Sequence, residues 1–127
     1  MQFGYTILYV DDVVETIGFY ERAFGLKRKM LHEREYGELD TGGTKLAFAA
    51  RDFVQGMIPL DFDRPSPAKA APFEIGLVTE DVQSAFETAV KAGATPVKEP
   101  AKKPWGQTVG YVSDNNGFLV ELCTPIY

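Results

Sequence analysis

Tyr111-Val112-Ser113-Asp114-Asn115-Asn116-Gly117-Phe118-Leu119-Val120-Glu121-Leu122-Cys123 is the stretch on which the fold turns. Two apolar runs flank an Asp-Asn-Asn-Gly cluster. Asn and Gly tolerate positive φ, so this cluster between apolar runs predicts a tight turn joining two antiparallel strands. Glu121 is the odd member, an acid set among Phe, Val and Leu. Side chains alternate along a strand, so Val120 and Leu122 share one face while Leu119, Glu121 and Cys123 share the other. One face is suited to a core. The other carries a carboxylate into apolar surroundings, where it must find a partner, take up a proton, or face a cavity holding water or ligand.

Working outward, the same grammar appears twice. Tyr5 to Val10 is β-branched and aromatic and predicts a strand. Asp12, with Glu15 three residues on, predicts a helix N-cap. Val13, Ile17, Tyr20 and Phe24 then form one apolar stripe, and Gly25 supplies a left-handed stop. Strands are expected over Leu26 to Glu33, Tyr36 to Leu39 and Lys45 to Ala50, with a turn at Asp40-Thr41-Gly42-Gly43. The pattern restarts with a strand over Phe73 to Val78 and a helix capped by Asp81. That helix carries Val82, Phe86 and Ala89 on one stripe and closes at Gly93. Strands over Ala94 to Lys98, Gln107 to Val112 and Phe118 to Cys123 follow, with a loop from Pro100 to Gly106.

Asp12-Val13 matches Asp81-Val82 at an offset of 69, and Asp40 to Gly43 matches Asp114 to Gly117 at an offset of 74. Such a small drift points to a duplicated module with short insertions. The chain is expected to be one α+β domain over residues 1–127. Module one covers about 1–56, a proline-rich linker 57–72, and module two 73–127. Each module has one helix for four strands, so one sheet face is left for a second copy or for the wall of a site.

The composition excludes several functions. At 127 residues, 45% hydrophobic and 24% charged, the chain is about one ordinary globular domain. A net charge of −5 without a Lys/Arg run argues against nucleic acid as a partner. No apolar stretch approaches the length of a membrane helix, and the start lacks a basic region. A single cysteine fits a reducing cytoplasm.

The paired β-α-β-β-β pattern, Asp11-Asp12-Val13 leading to Phe19-Tyr20, and Ser113-Asp114-Asn115-Asn116-Gly117-Phe118-Leu119-Val120-Glu121-Leu122 resemble the vicinal oxygen chelate superfamily. That group contains glyoxalase I, bleomycin-resistance proteins, fosfomycin-resistance enzymes and extradiol dioxygenases. The resemblance implies tandem βαβββ modules whose curved sheet encloses a cup, commonly in a homodimer. It also implies a metal held by four positions, which here are Tyr5, Ala47, Glu74 and Glu121. Ala cannot ligate, Tyr is a poor ligand for Zn, Ni or Mn, and His32 lies off these positions. No metal or other cofactor is therefore expected, with Glu74 and Glu121 as weak candidates for a divalent ion.

Glu74 and Glu121 have three alternatives: to share a proton and contact ligand, to hold a cation, or to pair with Lys45 from module one. They are also the candidate catalytic residues. Tyr5, Ile7 and Tyr9 share one strand face and either line or merely fill the cup. Trp105 is either a hydrophobic lid or a stacking surface at the rim. Cys123 is read as an inert small side chain and His32 as a partly exposed strand residue. The expected function is binding of a small, partly apolar ligand through Tyr5, Ile7, Tyr9, Lys45, Ala47, Glu74, Trp105 and Glu121. The alternative is an enzyme, a lyase or isomerase of the glyoxalase type or a carboxylate acid/base catalyst. A structural or regulatory partner protein is a third class.

Overall fold

The computed structural model describes residues 1–126. Among them lie two four-stranded mixed sheets and three helices, an α+β fold with the βαβββ pattern twice. Two compact units divide the chain, Met1–Asp63 and Arg64–Tyr127.

In the first unit, β1 (Tyr5–Val10) runs into α1 (Val13–Phe24), followed by β2 (Lys27–His32), β3 (Tyr36–Asp40) and β4 (Lys45–Ala50). The sheet order is β1-β4-β3-β2, with β1 parallel to β4 and the other pairs antiparallel. Asp12 caps α1 by accepting from Glu15 N at 3.0 Å, and Gly25 ends it at φ 68°. The helix buries Val13, Ile17, Tyr20 and Ala23. Tyr20 meets Phe24 at 5.1 Å and Phe48 at 5.0 Å between ring centroids. Gly37 on β3 allows this close approach, because a Cβ there would stand 3.2 Å from Val13, Ile17 and Leu31 side chains. Leu8, Val10, Leu39 and Phe48 complete the helix-covered face.

The sequence reading had no element at residues 51–55, where the structure has a short helix, α2 (Arg51–Gln55). Its anchor is tertiary: Arg51 is buried, lies 3.3 Å from Asp11 Oδ1 and donates to Phe62 O at 2.6 Å. Periodicity carries no trace of such a contact.

The second unit repeats the plan with β5 (Ile75–Val78), α3 (Val82–Lys91), β6 (Thr95–Lys102), β7 (Thr108–Ser113) and β8 (Leu119–Cys123). Its order is β5-β8-β7-β6, with β5 parallel to β8. Asp81 caps α3 through Ser84 N, and Val82, Phe86 and Ala89 are its buried stripe. Two expectations need correction. The strand expected to stop at Lys98 continues to Lys102, taking in part of the expected loop. Pro96 and Pro100 are tolerated because β6 is an edge strand with irregular register. Gly110 opposite makes room, since a Cβ there would sit 3.1 Å from Pro100 Cγ. Glu74 precedes β5 rather than lying within it, and Ile75 and Leu77 are only half-buried, β5 being an edge.

The β7–β8 turn is held by Asp114, whose side chain is 3% exposed. Its Oδ1 accepts from Asn116 N and from Phe118 N, each at 2.8 Å. Gly117 follows at φ 91°, where a Cβ would lie 2.6 Å from Pro65 backbone atoms. Asp114→Ala should cost about 2 kcal/mol in equilibrium urea unfolding, the usual loss when a buried charged acceptor is removed from its donors. Asp114→Asn, which keeps one acceptor oxygen, should cost less than half as much; equal losses would show that the side chain's bulk, not its bonds, holds the turn.

Candidate functional site

The regular β7–β8 ladder sets Tyr111 against Glu121, and the β5–β8 ladder sets Gly76 on the other side of Glu121. Val112, Val120 and Leu122 are buried in the core. By alternation Tyr111, Glu121 and Cys123 occupy the opposite face of the sheet, with Gly76 between them and the edge. Glu74, one residue ahead of β5, reaches the same place and shares a side-chain hydrogen bond with Glu121.

Two carboxyl groups can share such a bond only if one carries a proton. Glu74 is accordingly pushed from 4.5 up to about 7, first by the hydrogen bond to Glu121, then by burial, then by the charge of Glu121. Tyr111 is raised by burial and then by the charges of Glu121 and Glu74. Cys123 is pushed up to about 11, again by burial first, then by its hydrogen bond and charge interaction with Glu121. At neutral pH that thiol stays protonated, so Cys123 is no ready nucleophile. The face can hold one proton and release it near pH 7, and it offers acceptors to a donor or a cation.

The first unit arranges its polar groups differently. Ile7 stands beside Ala47 on β4, and Tyr5 beside Lys45. Ala47 is fully buried and offers no donor atom, but Glu38 on β3 lies directly opposite it. Tyr36 Oη donates to Glu38 Oε2 at 2.8 Å. The Tyr36 phenol is held well above its ordinary range by burial, then by Glu38 and by Tyr5. Sequence reasoning missed Glu38, Tyr36 and Tyr111 because it sought site residues on the first and last strands of each module. Strand alternation in Tyr36-Gly37-Glu38-Leu39 was the available signal.

Trp105 is 66% exposed, and its ring makes one hydrogen bond. Its Nε1 donates to Gln107 Oε1 at 2.8 Å, while Gln107 Nε2 donates to Thr124 O at 2.8 Å. Gln107 has the same parity on the chain as Tyr111, one residue ahead of β7. Ile7, Tyr5 and Tyr9 keep some exposure while Leu8 and Val10 are buried, as alternation requires. Tyr9 packs on Phe62 at 4.6 Å between centroids.

Of the four positions matched to metal ligands, Ala47 has no ligand atom and Tyr5 is a poor one for Zn, Ni or Mn, which leaves the carboxylates of Glu74 and Glu121. Elsewhere, ligand atoms of His32, Glu33 and Glu35 lie within 4.8 Å of one another near the β2–β3 turn. His32 and Glu33 are solvent-exposed there. Among the described residues, no helix is long and apolar enough to cross a membrane.

The model of the Glyoxalase/Bleomycin resistance protein/Dioxygenase superfamily matches residues 2–122. An uncharacterised protein of Mycobacterium bovis is 30% identical, with 94% of this chain and 80% of that protein aligned. An uncharacterised protein of Mycobacterium tuberculosis is also 30% identical, over 94% of this chain and 72% of its own length. A glyoxalase-related enzyme from Fulvimarina pelagi superposes with a TM-score of 0.84 at 21% identity, covering 98% of this chain and 88% of the other. A glyoxalase/bleomycin resistance protein/dioxygenase from Nocardioides gives 0.77 at 16% identity, over 98% and 83%. At these identities the two structures speak to the fold alone.

The raised Glu74 has a consequence for stability. An acid that moves from 4.5 to about 7 on folding binds its proton more tightly in the folded state. Its contribution is therefore present at low pH and is lost as pH rises between those values. Thermal unfolding from pH 4 to 8 should show Glu74→Gln gaining on the parent protein as pH rises, with the difference levelling off above about pH 7. A difference that does not change with pH would mean that the two carboxyl groups ionise independently.

Proposed function

The chain belongs to the Glyoxalase/Bleomycin resistance protein/Dioxygenase superfamily, and we propose that it binds a small, partly apolar ligand without a metal. What supports this reading is the placement of Glu121 beside Tyr111 on the sheet face away from the core, with Glu74 near enough to be pushed up to about 7 by it, at positions where the family resemblance expects metal ligands. With Tyr5 and Ala47 at the other two positions the set is poor for a transition metal, and the carboxyl oxygens suit a hydrogen-bonding or cationic organic group. Tyr111 extends the polar part of the face.

In this reading Trp105 supplies the apolar part. An indole held by a hydrogen bond to Gln107 and left open to solvent offers a surface for a flat ring. Tyr5, Ile7, Tyr9, Lys45 and Ala47 are the first unit's own ligand-binding candidates. The protein would act as a homodimer in the cytoplasm. Unpaired edges at β1 and β5 support the dimer, since sheet edges of this kind call for cover.

One observation favours a second reading. A carboxyl group near pH 7 can both give and take a proton at neutral pH, which suits Glu74 to general acid/base catalysis. On that view the bound molecule is turned over rather than retained.

Native mass spectrometry of the protein as purified separates these readings. Ligand binding predicts a dimer carrying an organic molecule of a few hundred daltons, released when Glu121 is changed to Gln. A stoichiometric transition metal, with no organic mass, would contradict it. An organic mass that changes on incubation with the protein would favour catalysis.

A further inference from the structure

The face of β1 turned away from α1 carries Tyr5, Ile7 and Tyr9, and it is not equally open along its length. Tyr5 and Ile7 are 53% and 37% exposed, whereas Tyr9 is half-buried. The ring of Phe62 lies against Tyr9 edge-on, at 4.6 Å between centroids and 67° between planes. Phe62 stands in a run, residues 60–65, that forms neither helix nor strand. Arg51 ties that run down: its Nη1 donates to Phe62 O at 2.6 Å and its Nη2 to Asp63 O at 3.5 Å. Its Nε faces Asp11 Oδ1 at 3.3 Å without forming a hydrogen bond. A buried guanidinium with five donors is stable only when they are well partnered. Arg51 is buried, yet it has one short bond, one at the limit of hydrogen-bonding distance, and an ion pair to a carboxylate that is 62% exposed. The latch is therefore loose, and one side of it reaches solvent.

We propose that Phe62 is a built-in occupant of an aromatic subsite at Tyr9, latched there by Arg51, and that an aromatic ring of the ligand displaces it on binding. This rests on the ligand-binding reading above and narrows it to ligands that carry an aryl group. The chemistry of the occupant names the class, because the group that now packs on Tyr9 is the edge of a benzene ring, at a separation any other aromatic ring can reproduce. Arg51 holds main-chain carbonyls and leaves the Phe62 ring to pack on Tyr9, so the ring can leave while the chain on either side stays in place. Phe62 is then an autoinhibitory contact. It covers the apolar end of the face while no ligand is present, and it sets the affinity a ligand must exceed. Arg51 is a positioning residue that acts through Phe62 and touches no ligand itself.

Phenol, followed by NMR on the full chain, tests this. At saturating phenol the parent protein should lose the nuclear Overhauser contact between the Phe62 and Tyr9 rings, while the Tyr20–Phe48 contact of the core persists. Phe62→Ala should bind phenol at least about tenfold more tightly than the parent, the gain expected when no covering ring has to leave. Arg51→Lys, whose compact ammonium cannot span both carbonyls and Asp11, should also tighten binding, with Phe62 still present. That second gain distinguishes a displaced occupant from a cavity made by removing the Phe62 ring. If Arg51→Lys does not fold, Asp11→Asn loosens the same latch from its exposed side and takes its place. Three results would overturn the proposal: phenol bound with the Phe62–Tyr9 contact intact, tighter binding in Phe62→Ala alone, or equal affinity in the parent and both variants. A retained organic molecule without an aromatic ring would overturn this proposal alone. Absence of any retained molecule together with absence of phenol binding in every variant would overturn the ligand-binding reading as well.

Discussion

The two hydrogen bonds that Asp114 accepts from Asn116 N and Phe118 N decide where Glu121 goes. They close the turn at Gly117 and so set the register of β7 against β8, residue by residue from Ser113–Leu119 to Val109–Cys123. A slip of one residue would turn Glu121 into the core and Leu122 out of it. With the register held, Glu121 stands between Tyr111 and Gly76, and Glu74 meets it from the start of β5. The chemistry of this face therefore depends on a turn some distance from it.

Duplication has given the two units one scaffold but different chemistry. In the second unit the acids come from β8 and the residue before β5. In the first, the β4 position holds Ala47, and the carboxylate has moved across the ladder to Glu38, tied to Tyr36. A tyrosine accompanies the acid in both units, Tyr36 in one and Tyr111 in the other. Each phenol is pushed upward first by burial and then by the neighbouring carboxylate, so each remains a donor at neutral pH. On the proposed reading such a set would recognise hydrogen-bonding groups. Neither unit has an imidazole at the positions matched to metal ligands.

Much of the fold was legible because local chemistry and tertiary structure agree. Asp12, Asp81 and Gly25 announce the helix ends, and the stripes Val13–Ile17–Tyr20 and Val82–Phe86–Ala89 announce the buried faces. Glu121 stood out through parity alone. The full length of β6 was hidden because Pro96 and Pro100 read as loop, and only the edge position and Gly110 explain how they fit. The helix at Arg51–Gln55 depends on Arg51 meeting Asp11 and Phe62, contacts that leave no local pattern. Glu38 was missed for a related reason. It is marked by standing opposite Ala47 on the neighbouring strand, and that is a property of the sheet register.

On the proposed reading Glu74 and Glu121 hold one proton between them. Selective carbon-13 labelling of glutamate carboxyl groups, followed by NMR titration from pH 3 to 9, tests it directly. The Glu74 signal should move with a midpoint near pH 7, and in Glu121→Gln that midpoint should drop toward the ordinary glutamate range near 4.5. A parent protein in which Glu74 itself titrates in the ordinary glutamate range would mean that no proton is shared on this face.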